Sequence, residues 1–242
     1  MTEEQETQDN NGEELQAVPS PNWLGAAWDD YIDHLPVLLA VSLFLAALSA
    51  PSFYILRRWH SYIPALAYML FIMSPFSVGV NLVYIKLARG ETKVFSALFS
   101  AFPVYHKAIA VTVWLGLITA GGTLLFIIPG AVIYTTYFFS EYVVVDRSTG
   151  VRESFALSAA LTEGWRIPLA MVLMMLVLME VLIPSPVYIT GGFSDPVVKT
   201  DLAAWGIAAF TLKTLVFLPW LHLGLARAYN MLIGRPGTTA KT

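Results

Sequence analysis

Residues 121–165, GGTLLFIIPGAVIYTTYFFSEYVVVDRSTGVRESFALSAALTEGW, decide the fold of this chain. An apolar run leads into Pro129-Gly130, which we interpret as the tight turn of a helical hairpin. A tyrosine-rich helix follows and ends at Asp146, where a turn with helix-capping residues starts the amphipathic helix Val151–Thr162. The apolar helices on either side of this unit predict an all-α, polytopic membrane protein.

The composition indicates a lipid environment. The chain is 57% hydrophobic and 13% charged, with a mean hydropathy of +0.64, whereas a soluble domain is about 25% charged. Nine of the seventeen acids precede residue 35, and from there onward fourteen basic residues stand against eight acidic ones. The chain has no cysteine, which excludes disulfides and thiolate chemistry. No secretory signal opens it, so we expect the first apolar run to stay as a membrane anchor.

Four segments follow from this pattern. Residues 1–20 are predicted to be a disordered acidic tail, more consistent with solubilisation than with a binding arm. Residues 21–34 form an amphipathic helix whose tryptophan-rich face fits the membrane interface. Packing of that helix on the end of the bundle fits the pattern equally well. Residues 35–230 form a six-helix membrane domain, and residues 231–242 a second disordered tail.

Six apolar runs are predicted to be transmembrane helices: 35–56, 62–87, 108–128, 130–145, 167–182 and 203–225. Pro75 frees a backbone carbonyl in the middle of the second run and predicts a kink near residues 71–75. Residues 95–102 place phenylalanines at helical spacing, which predicts a short interfacial helix ended by Pro103. Residues 190–199 are polar and turn-rich, and we expect a loop there.

The distribution of basic residues predicts the orientation. With six spans, ten lysines and arginines fall on the side of the termini and three on the other side. Cytoplasmic loops carry the excess of positive charge, so both termini are predicted to lie in the cytoplasm of a bacterium, with the protein in its inner membrane. The basic rim favours anionic lipid head groups as partners. The three basic residues on the other side are Arg57, Arg58 and Lys199.

Several short motifs resemble one known family. LLFIIPG at 124–130, YVVVD at 142–146, Glu153-Ser154 and Gly164-Trp165 resemble a pattern in bacterial six-helix integral membrane proteins of unassigned function. That family is related to the membrane domain that some glycerophosphodiester phosphodiesterases carry ahead of their catalytic domain. Residues 84–90 and 95–102 fit the same pattern, so the likeness covers roughly residues 65–230. It implies the six-helix fold, but not the phosphodiesterase activity, because no such catalytic domain follows.

Signatures of enzymes and cofactor sites are absent from the sequence. It contains no His-Glu-x-x-His, no Walker loop, no Gly-x-Ser-x-Gly and no Gly-x-Gly-x-x-Gly motif. The four histidines, His34, His60, His106 and His222, are scattered, each close to a predicted membrane boundary. Interfacial side chains explain them better than metal ligands do. We therefore expect no catalysis, no cofactor and no metal.

Two charges fall inside predicted spans. Glu180 lies ~12 Å from the outer end of the fifth span and Lys213 ~15 Å from the outer end of the sixth, at about 1.5 Å per residue. An isolated charge at such a depth costs about 2.5–3.5 kcal/mol, so we predict that Glu180 and Lys213 pair. A fixed pair that sets helix register is favoured, and a proton or ion pathway is the alternative.

Two classes of function stay open. The first is a non-catalytic accessory or scaffold subunit of a membrane complex, with Gly121 and Gly122 as a helix-packing patch for other membrane proteins or a second copy. The second is a small transporter or lipid-handling protein in which Glu180 and Lys213 line a path. For Glu141 and Asp146, acids at the cytoplasmic end, ordinary interfacial side chains are favoured over a ligand-binding site. The absence of a sequence repeat favours the first class, and nothing indicates a nucleic-acid partner.

Overall fold

The computed structural model describes residues 22–91, 94–192 and 195–234. The predicted tail 1–20, most of the predicted tail 231–242 and the basic residue Lys93 lie outside these ranges. The helices are α1 (Trp23–Asp33), α2 (Leu35–Trp59), α3 (Tyr62–Tyr68), α4 (Ser74–Leu87), α5 (Ala97–Ser100), α6 (Tyr105–Leu125), α7 (Ile127–Tyr137), α8 (Ser140–Arg147), α9 (Val151–Thr162), α10 (Arg166–Leu182), α11 (Ala204–Leu212) and α12 (Leu218–Ile233). Two π-helical segments (Met69–Met73 and Lys213–Phe217), a 3-10 turn (Phe102–Val104) and the strands β1 (Val187–Gly192) and β2 (Asp195–Thr200) complete the fold.

These elements form a polytopic helical membrane protein, which confirms the predicted fold class. Among the described residues, five helical runs are long and apolar enough to cross a bilayer: Leu35–Trp59, Tyr62–Leu87, Ala97–Leu125, Ile127–Arg147 and Ala204–Ile233. The pair α9 and α10, bent by 109°, brings the number to six if it counts as one span. The 17 residues of α10 extend about 26 Å, close to the ~30 Å of the hydrocarbon core.

Two spans change pitch at a proline. The second span passes from α3 through Met69–Met73 into α4, and the last span passes from α11 through Lys213–Phe217 into α12. Pro75 and Pro219 stand in the first turn of α4 and of α12. The predicted distortion of the second span is therefore present as a π-helical turn, and the last span repeats it.

Tyrosine hydroxyls satisfy the carbonyls that these prolines leave without a partner. Proline has no N–H, so the carbonyl one turn earlier loses its intrahelical donor. In a π-helical turn this carbonyl is five residues before the proline. The carbonyl of Leu70, five residues before Pro75, accepts a hydrogen bond from the Tyr105 hydroxyl. The carbonyl of Leu215, four residues before the proline of α12, accepts one from the Tyr31 hydroxyl at 2.9 Å. Side chains from α6 and α1 thus hold the two π segments in place.

The turn between α6 and α7 is not at Pro129-Gly130, so that prediction is wrong. The helices are separated by Phe126, whose backbone is extended (φ −162°, ψ 152°). Pro129 and Gly130 lie in the first turn of α7, where the missing proline N–H has no helical acceptor to lose. Gly130 is needed for packing instead, because a Cβ there would lie 2.8 Å from the backbone nitrogen of Thr123 on α6. The third predicted span therefore ends at Leu125 rather than at residue 128, and the fourth begins at Ile127 rather than at residue 130.

The predicted interfacial helix over residues 95–102 is shorter than expected. Only α5 is α-helical, and it continues through the 3-10 turn into α6, so Pro103 lies within a turn rather than ending a helix. Gly79 allows α4 to approach this segment, since a Cβ on it would lie 2.8 Å from Leu98 Cα. Phe95 and Phe99 stay about half exposed, at 46% and 51%. The segment is therefore packed against α4 on one side only.

The helix α9 has the predicted bounds and is packed into the bundle. Ser158 and Thr162 are fully buried, and their hydroxyls donate to the Thr136 carbonyl of α7 at 3.0 and 3.1 Å. Small hydroxyl side chains allow this close approach and satisfy a carbonyl that water does not reach.

A β-hairpin stands where a loop over residues 190–199 was predicted, so the chain is not purely α-helical. β1 and β2 pair in antiparallel register from Val187↔Thr200 to Gly192↔Asp195. Their β-branched residues suit strands, and Gly191 has a φ of 91°, which glycine adopts without strain. At the other end of the chain, residues 231–233 form the last turn of α12 and do not belong to the predicted tail.

Of the two positions left open for α1, the structure shows the one packed on the bundle. Trp23, Ala27 and Tyr31 are buried, and the Trp220 indole of α12 donates to the Leu24 carbonyl at 3.0 Å. An ion pair between Asp30 and Arg227 fixes the same contact. The tryptophan-rich face therefore meets α12 rather than lipid alone.

The two ends of the bundle differ in packing density. We name the end at which α4, α8 and α12 finish the basic end, and the end that carries β1 and β2 the hairpin end. The hydrophobic core lies towards the basic end, where nine residues of α12 are buried. Neither the π segment Met69–Met73 nor α11 has a buried residue. The spans are therefore tightly packed at the basic end and leave space towards the hairpin end.

Candidate functional site

A cavity of about 770 Å³ lies between α2, the second span and the last span. This volume is within the range of ligand pockets, about 300–1,000 Å³. Apolar side chains make up much of its wall, and polar side chains interrupt them. Those of α2, α4 and α6 are Ser42, Ser49, Ser74, Ser77, Asn81 and Thr112.

The cavity extends over more than half of the hydrocarbon core of the membrane. Its lining runs from Ser42 to Phe53 on α2 and from Phe210 to His222 on the last span. At 1.5 Å per residue each stretch covers about 17 Å, compared with ~30 Å for the hydrocarbon core. Val187, the first residue of β1, lines it at the hairpin end. The cavity therefore reaches from the hairpin end towards the basic end.

Glu141 of α8 brings a carboxyl group to the deep part of this cavity. Thr112 Oγ1 donates to Glu141 Oε1 at 2.7 Å. Among the described residues that line the cavity, Glu141 is the only acidic one, and none is a lysine or an arginine. The place of Glu141 in a cavity could not be predicted from the sequence, because α8 and the facing helices are distant in the chain.

His222 also lines the cavity, whereas the sequence placed it at the membrane interface. Its ring stacks on Tyr84, with centroids 5.5 Å apart and planes 19° from parallel. Its Nδ1 lies 2.8 Å from the Leu218 carbonyl. A carbonyl only accepts, so Nδ1 carries the hydrogen and Nε2 of the neutral ring stays an acceptor.

The second π segment contributes an unused hydroxyl to the wall. Thr214 lines the cavity, and its buried Oγ1 has no hydrogen-bond partner within the described part of the chain. Buried polar atoms are nearly always paired, so an orphaned one next to a cavity indicates a place for a polar ligand atom or water. π segments are also frequent at functional sites.

The predicted Glu180–Lys213 contact is present, but it lies beside the cavity and not in its lining. Lys213 Nζ lies 3.0 Å from Glu180 Oε2 and donates to the Ile183 carbonyl at 2.7 Å. Lys213 is 2% exposed, whereas the Glu180 side chain is 60% exposed towards the outside of the bundle. The ammonium also lies 5.2 Å from the centroid of the Phe210 ring. The lysine thus caps the last turn of α10 and ties it to the last span, which favours the structural role.

A polar network closes the basic end. The Arg89 guanidinium donates to both carboxylate oxygens of Asp146 at 2.7 Å, and the Tyr229 hydroxyl donates to the same carboxylate at 3.0 Å. Arg89 Nε also donates to Asn230 Oδ1 at 3.1 Å. The hydrogen bond and the charge of Asp146 raise the pKa of Arg89 above its ordinary value. The network joins three spans, and only the shared position of Arg89 and Asp146 at one end of the bundle could have indicated it.

The predicted patch of Gly121 and Gly122 is divided between two faces of α6. A Cβ on Gly122 would lie 2.7 Å from Ile133 Cδ1 and 3.1 Å from Gly130 Cα, so this glycine packs inside the α6–α7 hairpin. A Cβ on Gly121 would meet no atom within 4 Å. Only Gly121 is therefore available to a second helix.

The described ranges contain no group of three or more histidine, aspartate or glutamate side chains placed to hold a metal ion. Comparison with protein-family models, curated proteins and solved structures found no match. The resemblance to the six-helix family consequently stays a prediction.

Proposed function

We propose that this protein is a small transporter or lipid-handling protein that takes up an amphipathic molecule in the cavity between α2, the second span and the last span. The observation that carries the proposal is the cavity itself, since a packed scaffold has no need of ~17 Å of open space within the membrane, with polar side chains set into a mainly apolar wall. Its apolar walls suit a hydrocarbon chain, and its polar groups suit a head group. The protein binds and moves this molecule without chemical conversion.

The packing supports a cavity that is accessible from one side at a time. The Arg89–Asp146 network and the buried part of α12 separate the cavity from the basic end. Release on that side requires these contacts to open. The two π segments, each followed by a proline, are the points of the spans at which a helix bends with least loss of hydrogen bonds.

The basic end is the cytoplasmic end in this proposal, and the membrane is a bacterial inner membrane. The excess of lysine and arginine on that side supports this orientation. The hairpin end then faces the periplasm, and the cavity in this conformation faces outward.

The scaffold function is the second candidate, and Gly121 favours it. A glycine with an open face on a membrane helix lets another helix approach closely. Gly121→Leu should then remove a partner that co-purifies from native membranes in a gentle detergent. A partner retained by this variant would contradict the role of Gly121.

Cysteine labelling tests the cavity, because the chain has no native cysteine. We choose Ser77→Cys on the wall of the cavity and the neighbouring pair Ser42→Cys and Leu43→Cys on α2. Leu43 is 62% exposed but lines no part of the cavity. In nanodiscs, a charged methanethiosulfonate reagent should modify the thiols at 77 and 42 and leave the lipid-facing thiol at 43 unmodified.

The neighbouring pair is the matched control, since residues 42 and 43 share one depth in the membrane. Equal rates at these two positions would show that the reagent does not distinguish a cavity from lipid. No modification at 77 or 42, with the folded protein intact, would remove the basis of the proposed transport function.

A further inference from the structure

We propose that the occupant of the cavity is an amphipathic cation, whose positive head group binds at Glu141 and whose apolar chain extends towards the hairpin end. This inference rests on the proposed function and specifies its substrate class. It follows from the charges, the aromatic rings and the direction of the cavity.

The first step is charge balance. An ionised carboxylate in an apolar medium requires a positive partner. In the described ranges, no lysine, arginine or histidine forms an ion pair with Glu141, and its one observed hydrogen bond comes from Thr112. This contrasts with Asp30, Asp146 and Glu180, each of which has a cationic partner. Among the described residues, Glu141 is thus the acid that borders the cavity and has no cationic side chain of the protein as a partner.

The second step is the aromatic surface of the same cavity. Tyr84 and His222 stack on each other and both line the cavity. The face of a tyrosine ring attracts a cation, most strongly for a weakly hydrated amine or quaternary ammonium. The Nε2 of His222, the side-chain amide of Asn81 and the unpaired hydroxyl of Thr214 add acceptors for the N–H groups of an amine. An anionic head group would find no lysine or arginine among the described residues of this lining.

The third step is the direction of the cavity. Glu141 and Tyr84 lie on α8 and α4 near the densely packed basic end, and Phe53 and Val187 line the opposite part. The wall between them is formed largely by apolar residues, including Leu45, Val78 and Phe210. A molecule with its charge at Glu141 therefore places a chain along apolar wall over about 17 Å.

The test compares a cationic with an anionic thiol reagent at Ser77→Cys in nanodiscs of neutral lipid. The reagents are the trimethylammonium and sulfonate forms of ethyl methanethiosulfonate, and each rate is divided by the rate with a free thiol. At pH 8 an ordinary imidazole is neutral, so His222 does not contribute charge. We expect the cation to react at least about tenfold faster than the anion, as in other clefts of one charge with low-dielectric walls.

Glu141→Gln should abolish this preference, and Glu141→Asp should keep it. The exposed Glu163, which is not in the lining, supplies the matched control Glu163→Gln, which should keep the preference unchanged. If Glu141→Gln lowers the yield of folded protein, Glu141→Ala provides a second neutral variant. Dodecyltrimethylammonium should slow the modification at lower concentrations than tetramethylammonium does, because only the former has an apolar chain.

The outcomes separate this inference from the proposed function. A reactive thiol without cation preference, or a preference that persists in Glu141→Gln, overturns the assignment of Glu141 and leaves the cavity as a transport site. Equal protection by the two ammonium ions would contradict the inference that the bound molecule has an apolar chain. A thiol that reacts with neither reagent overturns the proposed function itself.

Discussion

Two adjacent glycines of α6 should respond in opposite ways to the same substitution. Replacing glycine by alanine in a helix interior is favourable by about 1 kcal/mol. Gly121 has open space around a Cβ, so Gly121→Ala should gain this amount or leave stability unchanged. At Gly122 the new methyl group meets the facing helix α7.

The cost at Gly122 follows from what the methyl group touches. Ile133 Cδ1, at 2.7 Å, is the end of a flexible side chain and can move. The backbone of Gly130, with its Cα at 3.1 Å and its nitrogen at 3.2 Å, can move only if the hairpin opens by a few tenths of an ångström. Overpacking of this kind costs about 1–3 kcal/mol. Because the helix-propensity gain is common to both variants, their difference in unfolding free energy should equal this cost.

Gly130→Ala extends the series to a larger effect. There the backbone nitrogen and Cα of Thr123 would lie at 2.8 and 2.9 Å from the new Cβ, closer than at Gly122. We therefore expect the order of stability Gly121→Ala, Gly122→Ala, Gly130→Ala, from highest to lowest. Thermal unfolding of the three variants in one detergent, followed by circular dichroism, measures it. Equal stability of Gly121→Ala and Gly122→Ala would refute the packing described for the α6–α7 hairpin.

Three further changes test other contacts. Asp146→Asn removes the partner of the partly exposed Arg89 and should lower the free energy of unfolding by about 1–2 kcal/mol. Arg147→Gln, at an exposed neighbouring position, should change that free energy by no more than about 0.5 kcal/mol in the same thermal unfolding assay. A double-mutant cycle, in which Glu180 and Lys213 are neutralised singly and then together, should give a coupling energy of about 1 kcal/mol or more. A value near zero would contradict a stabilising pair. Tyr105→Phe leaves a carbonyl of the second span unpaired and should cost about 1–3 kcal/mol; an unchanged melting temperature would show that the carbonyl finds another donor.

Features that depend on hydrophobic periodicity or on the depth of a residue in the membrane could be predicted from the sequence. The bounds of α9 follow from its amphipathic period and flanking turn, and the Glu180–Lys213 contact follows from two charges at similar depths in antiparallel spans. The distortion before Pro75 follows from the missing N–H of proline. Each of these is a local or one-dimensional property of the chain.

Other features depend on which helices become neighbours. Pro129-Gly130 fits a turn as well as the first turn of a helix, and only the contact of Gly130 with Thr123 distinguishes the two. Glu141 and Thr112 are 29 residues apart, and the cavity that they border is also lined by α2 and the last span, which are more distant still in the chain. The β-hairpin had a visible signal in its β-branched residues around two glycines, which the polarity of the segment outweighed.

The hydrogen bond from Tyr31 to Leu215 connects α1 to the segment that forms part of the cavity wall. Leu215 is the neighbour of Thr214, and α1 is held on α12 by Trp220 and Arg227 as well. By thermodynamic linkage, any molecule that binds the cavity more tightly when α1 is docked must hold α1 on the bundle by the same free energy. A protein or lipid that pulls α1 away must weaken that binding equally. For such a molecule, an event at the surface of the bundle is coupled to the occupancy of a site within the membrane.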